Sequence, residues 1–396
     1  MYKLNKKPLK VLYIFPTESK RTGVANYAIE FKKCLESYFK DLEINMENPF
    51  YFQTNYSILD LLKIKKEVHL LKENYDLIHA EMSSSSYAEF WYLYFVIKKF
   101  QKIPVVITVH DSPYLCLNPF HIFFFENYSN FLLFRFLRKA LDFLIGYRLE
   151  RKMIRKIKFI FVTTKIGSKK FKQRFKISKV DHLPHLPLFG EGKIQERNFE
   201  DKENIINILF FGFIRKGKGI EILIDAFHKL LMYEEFRNTT KLILCGGYNE
   251  NSRYYQDIKR KIKKFGLAKN IEITGYLGND SLMNLLRKVA CCIFPYLSKS
   301  TYSSSGALIR ALEVGSPVIV SDIPMLTEYV KDGYNGVIFK ENDSEDLYAK
   351  LLILIRDKQL REKLSRNAIE YIKKNHNSQI IAEKVIRKYT EILAQN

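Results

Sequence analysis

Between residues 210 and 223 the chain reads FFGFIRKGKGIEIL, with Gly212 and Gly217 five apart and Arg215 and Lys218 on the same turn. An apolar, strand-like stretch (205 to 211) precedes it and a helix-like one (220 to 231) follows. Glycines let backbone come close to a ligand, and a helix N-terminus presents unpaired N–H groups with a partial positive charge. With two full cationic charges added, the turn suits a diphosphate. The loop of nucleotide triphosphatases reads G-x-x-x-x-G-K-[ST], and its last hydroxyl holds magnesium. Here that position is Gly219, so phosphate binding without a protein-held metal is expected. An ordinary surface turn with scattered cations would read the same in isolation.

A second anion-receptive turn lies in SKSTYSSSGALIRALEVGSPVIVSD, where Ser303, Ser304, Ser305 and Gly306 run into a helical pattern. Hydroxyls and backbone N–H groups converge at such a start, although a serine N-cap alone has the same appearance. In the first half, TVHDSPY puts His110 and Asp111 just past an apolar run. His110 can hydrogen-bond a hydroxyl or stabilise charge, though a lone histidine is more often structural. PTESKRTGVANYA carries Gly23 where a helix opens, and DLIHAEMSSSS puts His79 at a strand end.

The elements around these residues follow one beat. Short apolar runs (KVLYIF, DLIHA, PVVITVH, FIFVTT) alternate with helical patterns such as 25 to 39 and 87 to 100, which predicts a parallel sheet wrapped by helices. The beat restarts with IINILFFG, KLILCGG, IEITGYL, CCIFPY, PVIVSD and GVIF, interleaved with helices over 219 to 232, 252 to 265, 280 to 289 and 305 to 314. The fold class is therefore α/β, two Rossmann-like doubly wound domains in tandem: 1–190, a Pro- and charge-rich linker over 191–204, and 205–372. The tail 373–396 reads as an amphipathic helix that can return to the first domain. Ligands of such sheets sit at the carboxyl ends of the strands, so the loops above are expected to face a cleft.

Composition narrows the class further. The 396 residues exceed what one core usually holds, and 47% hydrophobic with 27% charged is globular. Five cysteines (Cys34, Cys116, Cys245, Cys291, Cys292) form no C-x-x-C pair, and no apolar run approaches a signal core or a membrane span, so a cytoplasmic location is expected. The net charge is +22, and residues 135–179 hold 16 Lys+Arg against 2 Asp+Glu. Such a patch attracts a polyanion.

As an ordered series these stretches resemble the retaining glycosyltransferases of family 4, of the two-domain GT-B fold, over nearly the whole length. FFGFIRKGKGIEILIDAF is similar to that family's G-x-x-x-x-x-K-G segment, and SSSGALIRALEVGSPVIVSDIPMLTEYVKDGYNGVIF to its G-x-P-V-I-x-S-D and E-x-V-x-x-G-x-N-G landmarks. DLIHAE, VVITVHD and ERKMIRKIKFIFVTT resemble first-domain landmarks. The resemblance implies transfer of a sugar from a nucleotide-diphosphate donor with retained anomeric configuration, no bound metal and no cofactor. It places Arg215 and Lys218 on the donor diphosphate, with Gly212, Gly219, Ser304, Ser305 and Gly306 around them. It turns His110 to the donor sugar, sets Tyr276 and Leu277 beside the base, and puts Gly23, His79 and Asp111 on the acceptor side. Two glutamates usual in the family fall on Tyr302 and Arg310 here, which leaves donor choice open.

The stretch FHIFFFENYSNFLLFRFLRKALDFLIGYRLERKMIRKIKFIF mixes aromatic and aliphatic residues with cations. That composition suits an anionic membrane surface, predicting peripheral attachment through 135–179 to the inner face of a bacterial plasma membrane, where lipid-linked glycan acceptors occur. Nucleic acid is the other polyanion, but no groove-reading motif, zinc finger or aromatic sheet motif accompanies the charge. Two alternatives to a transferase are a partner subunit of the same fold with impaired catalysis and a nucleotide-sugar epimerase.

Overall fold

A computed structural model of the chain describes residues 8–16, 23–38, 44–48, 58–72, 74–120, 136, 139–190, 205–298 and 301–395. Two compact units emerge: Met1–Leu186 with Thr301–Ser304 and Ser378–Asn396, and Pro187–Ser300 with Ser305–Asn377. The expected linker 191–204, residues 17–22 before Gly23 and much of the aromatic, basic stretch (121–135, 137–138) lie outside the described residues.

In the first unit, β1 (Lys10–Ile14), β2 (Asn45–Glu47), β3 (Leu77–Met82), β4 (Val105–Val109), β6 (Phe159–Val162) and β7 (Val180–His182) form one parallel sheet in the order β2-β1-β3-β4-β6-β7. Every residue of β3 and β4 is buried, because helices cover both faces of a parallel sheet. Alternate residues of β1 serve opposite faces. Leu12 and Ile14 pack with Trp91, Leu93 and Val96 of the helix Tyr87–Lys99, whereas Val11 and Tyr13 pack with Tyr27, Phe31 and Leu35 of the helix Gly23–Tyr38. That second layer is completed by the C-terminal helix Ser378–Leu393, which contributes Ile381, Val385, Ile386, Tyr389 and Ile392.

The second unit repeats the plan. Its strands β8 (Ile206–Phe211), β9 (Thr240–Cys245), β10 (Ile271–Gly275), β11 (Cys291–Phe294), β13 (Val318–Ser321) and β14 (Val337–Phe339) pair in parallel in the order β10-β9-β8-β11-β13-β14. Side-chain caps start its helices: Ser252 accepts from Tyr255 N–H, Asp343 from Glu345 and Asp346 N–H, and Asp357 from Leu360 N–H. The helix expected over 219–232 spans Ile220–Leu230 and buries Ile220, Leu223, Ile224, Phe227 and Leu230, an i, i+3, i+4 stripe.

Two short elements escaped the apolar-run reading. β5 (Asp111–Ser112) and β12 (Tyr302–Ser303) pair antiparallel, Tyr302 opposite Ser112 and Ser303 opposite Asp111, within the first unit. Two-residue strands without apolar alternation carry no periodic signal.

Candidate functional site: two strand-end clusters

In the second sheet, the strands after β8 (β9, β10) are added on one side of it and those after β11 (β13, β14) on the opposite side, all parallel. The crevice beyond the carboxyl ends of such a pair is where open α/β sheets take ligands. The 212–219 turn and the Ser305–Gly306 part of the second predicted turn stand there. After β8 comes the 212–219 turn; after β11 comes the chain that reaches Ser305 and the helix Gly306–Glu313. The segment just after β11 reaches the glycine turn, with Leu297 N–H donating to Gly217 O at 3.1 Å.

Gly219 of the turn is required by space as well as by backbone angle, and Gly246 beside the turn likewise. Gly219 has φ 66°, and a Cβ on it would lie 1.7 Å from Pro295 O. Only glycine lets the helix Ile220–Leu230 begin against that backbone. Gly212 has φ 146°, and its carbonyl oxygen would stand 2.0 Å from a Cβ on Gly246. Gly246 N–H in turn donates to Gly275 O at 2.9 Å, so the ends of β8, β9 and β10 are joined through backbone alone. Arg215 is exposed and Lys218 half-buried, with Lys218 Nζ 3.4 Å from the Tyr296 ring centroid. Ser305 caps its helix by accepting from Leu308 N–H at 3.3 Å; Gly306 opens that helix.

Tyr296 was not singled out from the sequence. Its side chain is 1% exposed, and its Oη would be 3.2 Å from a Cβ on Gly212. Among the described residues that hydroxyl has no partner in hydrogen-bond geometry, although Ser305 stands close enough to influence its titration. Burial pushes its pKa up, while the nearby Ser305 and Arg215 pull the other way. An aromatic residue after an apolar strand reads as core, so no signal of composition marked it.

Tyr276 and Leu277 follow β10 at the edge of this sheet; Tyr276 is exposed and Leu277 leans on the core. Arg310 is 9% exposed and sets its guanidinium 5.6 Å from the Phe189 ring centroid. Glu313, one turn on and fully buried, accepts from Leu188 N–H at 2.9 Å and Phe189 N–H at 2.8 Å. Burial raises its pKa to about 7 despite those bonds.

The first unit holds a second cluster. His110 follows β4, and its Nε2 is 2.7 Å from Glu81 Oε2. Glu81 Oε1 accepts from Tyr13 Oη at 2.6 Å. Glu81 is fully buried on β3. His79, expected at a strand end on the acceptor side, is instead the third residue of β3 and fully buried. Its Nε2 meets Thr108 Oγ1 at 2.8 Å and its Nδ1 meets Tyr389 Oη of the C-terminal helix. Burial lowers its pKa to about 4, so it is neutral; the sequence cannot distinguish a histidine inside a strand from one just past its end. Asp111 Oδ2 accepts from Ser84 N–H at 3.0 Å and from Ser84 Oγ at 2.8 Å, fastening the loops after β3 and β4 together. Tyr302 and Ser304 fall with this unit, not with Ser305 and Gly306. Tyr302 O accepts from Thr164 Oγ1 at 3.4 Å. Gly23 opens the helix Gly23–Tyr38, and a Cβ there would meet open space.

Two doubly wound parallel sheets, each with polar loops at the carboxyl ends of its central strands, define the GT-B fold class. Residues 191–371 match the family model described as glycosyl transferases group 1. An uncharacterized glycosyltransferase of Methanocaldococcus jannaschii is 31% identical over 166 residues, 42% of this chain and 43% of that protein. The match spans about half the length of that relative and of the others most similar to it. The alpha-monoglucosyldiacylglycerol synthase of Acholeplasma laidlawii is 23% identical over 86% of this chain and 80% of its own. In fold, the chain is similar to Anabaena Alr3699/HepE solved with UDP and glucose, with TM-score 0.69 and 15% identity over 97% of this chain and all of that one.

Proposed function

We propose that the chain is a retaining, metal-independent glycosyltransferase that moves a sugar from a nucleotide-diphosphate donor to a lipid-linked glycan or lipid acceptor. The observation that carries this reading is the pair of glycine- and serine-opened helix starts at the carboxyl ends of β8 and β11, with Arg215 and Lys218 beside them, inside a group 1 segment. The turns offer N–H groups and cations to a diphosphate. When the bond to the sugar breaks, charge grows on the leaving phosphate, and donors already aimed at it lower the barrier. Retention fits a front-side route in which the leaving phosphate oxygen takes the acceptor's proton.

The acceptor and the location rest on surface chemistry. Phe143, Leu144 and Ile145 of the π-helical turn Asp142–Gly146 are exposed, as is Phe136. The exposed cations Arg148, Arg151, Lys152, Arg155 and Lys156 follow them in the chain. Apolar side chains among cations suit the headgroup region of an anionic bilayer, the inner face of a bacterial plasma membrane. Among the described residues no helix is long and apolar enough to cross a membrane. The Acholeplasma relative is named for a glycolipid product and a Staphylococcus aureus relative for capsular polysaccharide biosynthesis, which supports a role in surface glycoconjugate synthesis.

Thermal unfolding against a panel of nucleoside diphosphates tests the donor site. One of them at a hundredfold excess over its Kd should add about 2.7 kcal/mol of stability. A panel in which none shifts the transition sinks the reading. A partner subunit without transfer activity is the second reading, favoured by Arg310 lying against Phe189 where the family carries a carboxylate. Donor hydrolysis by the purified chain separates the two.

A further inference from the structure

The buried chain of polar groups beneath His110 is not explained by a loop histidine serving alone. Glu81 is 0% exposed, and among the described residues its only ionic neighbours are His79 and His110. A carboxylate so placed is costly unless donors surround it. His79 cannot answer it: its Nε2 stands 3.6 Å from Glu81 Oε1 and is engaged by Thr108 Oγ1, while its Nδ1 is engaged by Tyr389 Oη. Tyr13 Oη donates to Oε1 at 2.6 Å, leaving Oε2 for His110 Nε2 at 2.7 Å. Other rings facing His110 are aromatic edges rather than charges; the Tyr27 centroid is 4.7 Å away, and Tyr27 also touches His185.

From this we infer that Glu81 is a positioning residue that holds the proton of His110 on Nε2. The carboxylate accepts that N–H, so in the neutral ring Nδ1 carries the lone pair, and Nδ1 engages no described residue. His110 then meets a ligand as a hydrogen-bond acceptor, oriented to take a bond from a sugar hydroxyl rather than to give one. A histidine with its proton on the other nitrogen would reject the same hydroxyl hydrogen, so the buried carboxylate selects what the opposite ring nitrogen recognises. Tyr13 and Glu81 sit on neighbouring strands, with Tyr13 opposite His79 in the register of β1 and β3. The tautomer is therefore set by the sheet and not by the loop. This inference rests on the proposed transferase reading for its substrate, but not for its geometry.

The test uses the full chain with 15N-labelled histidine. In the wild type, the His110 ring should show the Nε2–H form; an Nδ1–H form overturns the inference without any variant. Glu81→Gln should erase the preference and lower kcat/KM for the donor by about tenfold, with affinity for UDP, which lacks the sugar, little changed. Tyr13→Phe, which removes only the hydroxyl on Oε1, should move both readouts the same way by less. Wild-type tautomer and kcat/KM in a folded Glu81→Gln protein would refute the assignment. If the wild type neither binds UDP or another nucleoside diphosphate nor transfers sugar, the transferase reading falls, while the tautomer measurement still decides the role of Glu81.

Discussion

Residues whose chemistry depends on type and spacing were readable in the chain; those that depend on burial were not. Arg215, Lys218 and the turn glycines stood out because cations and glycines before a helix have few structural reasons to coincide. Glu81 and Tyr296 did not, since each sits in an apolar run and gains meaning only from what the fold brings to it: His110 and Tyr13 in one case, Gly212, Lys218 and Ser305 in the other. The carboxylate inside LIHAEM was the one available signal, because a charge in the middle of a fully buried strand requires partners. At this scale the donor site makes a direct prediction. Lys218→Met keeps the aliphatic stem over Tyr296 and removes the ammonium, so sugar transfer or donor hydrolysis should fall about a hundredfold, the loss typical of one preorganised donor to a developing anion. Steady-state rates beside a thermal melt check it; near-wild-type turnover would remove Lys218 from the phosphate site.

Among the elements, central strands and amphipathic helices were predictable because burial on both faces leaves continuous apolar runs and burial on one face leaves a 3.6-residue period. Short or edge pieces such as β2, β7 and the β5–β12 pair leave neither. The helix Gly306–Glu313 shows how one element carries two tasks. Its first turn is a serine-capped start beside the glycine turn, while its last residue, Glu313, fastens Leu188 and Phe189. Burial holds the Glu313 pKa at about 7, above its ordinary 4.5. A folded-state pKa above the unfolded one means that the folded chain binds the extra proton. The stability from this group is therefore complete below about pH 4.5 and lost as pH rises through about 7. The whole effect is on the order of 3 kcal/mol. Urea midpoints should fall between pH 5 and pH 8 in the wild type more than in Glu313→Gln; equal falls would contradict it.

For the molecule as a whole, the net charge of +22 and the exposed apolar turn beside its densest segment bear on where the protein works. Cations near an anionic bilayer gain roughly 1 kcal/mol each, and the attraction fades as salt shortens the screening length. The chain should float with anionic liposomes at low salt, detach at high salt and ignore neutral vesicles. Phe143→Ser with Leu144→Ser should weaken flotation several-fold without altering the melting temperature, because Phe143 and Leu144 are exposed and far from full burial in any core. No flotation at low salt would count against membrane attachment.

The sequence by itself determined the α/β rhythm, its repetition, the glycine- and serine-opened helix starts and the excess of basic residues, because each is written in local spacing or in composition. Tertiary structure alone decided that His79 is buried within β3, that Arg310 lies on Phe189, and that the C-terminal helix brings Tyr389 to His79. Those outcomes depend on contacts between residues far apart in the chain, such as the 310 positions separating His79 and Tyr389. No local pattern encodes which of them will meet, since that is settled by sheet order and by the packing of helices on its faces.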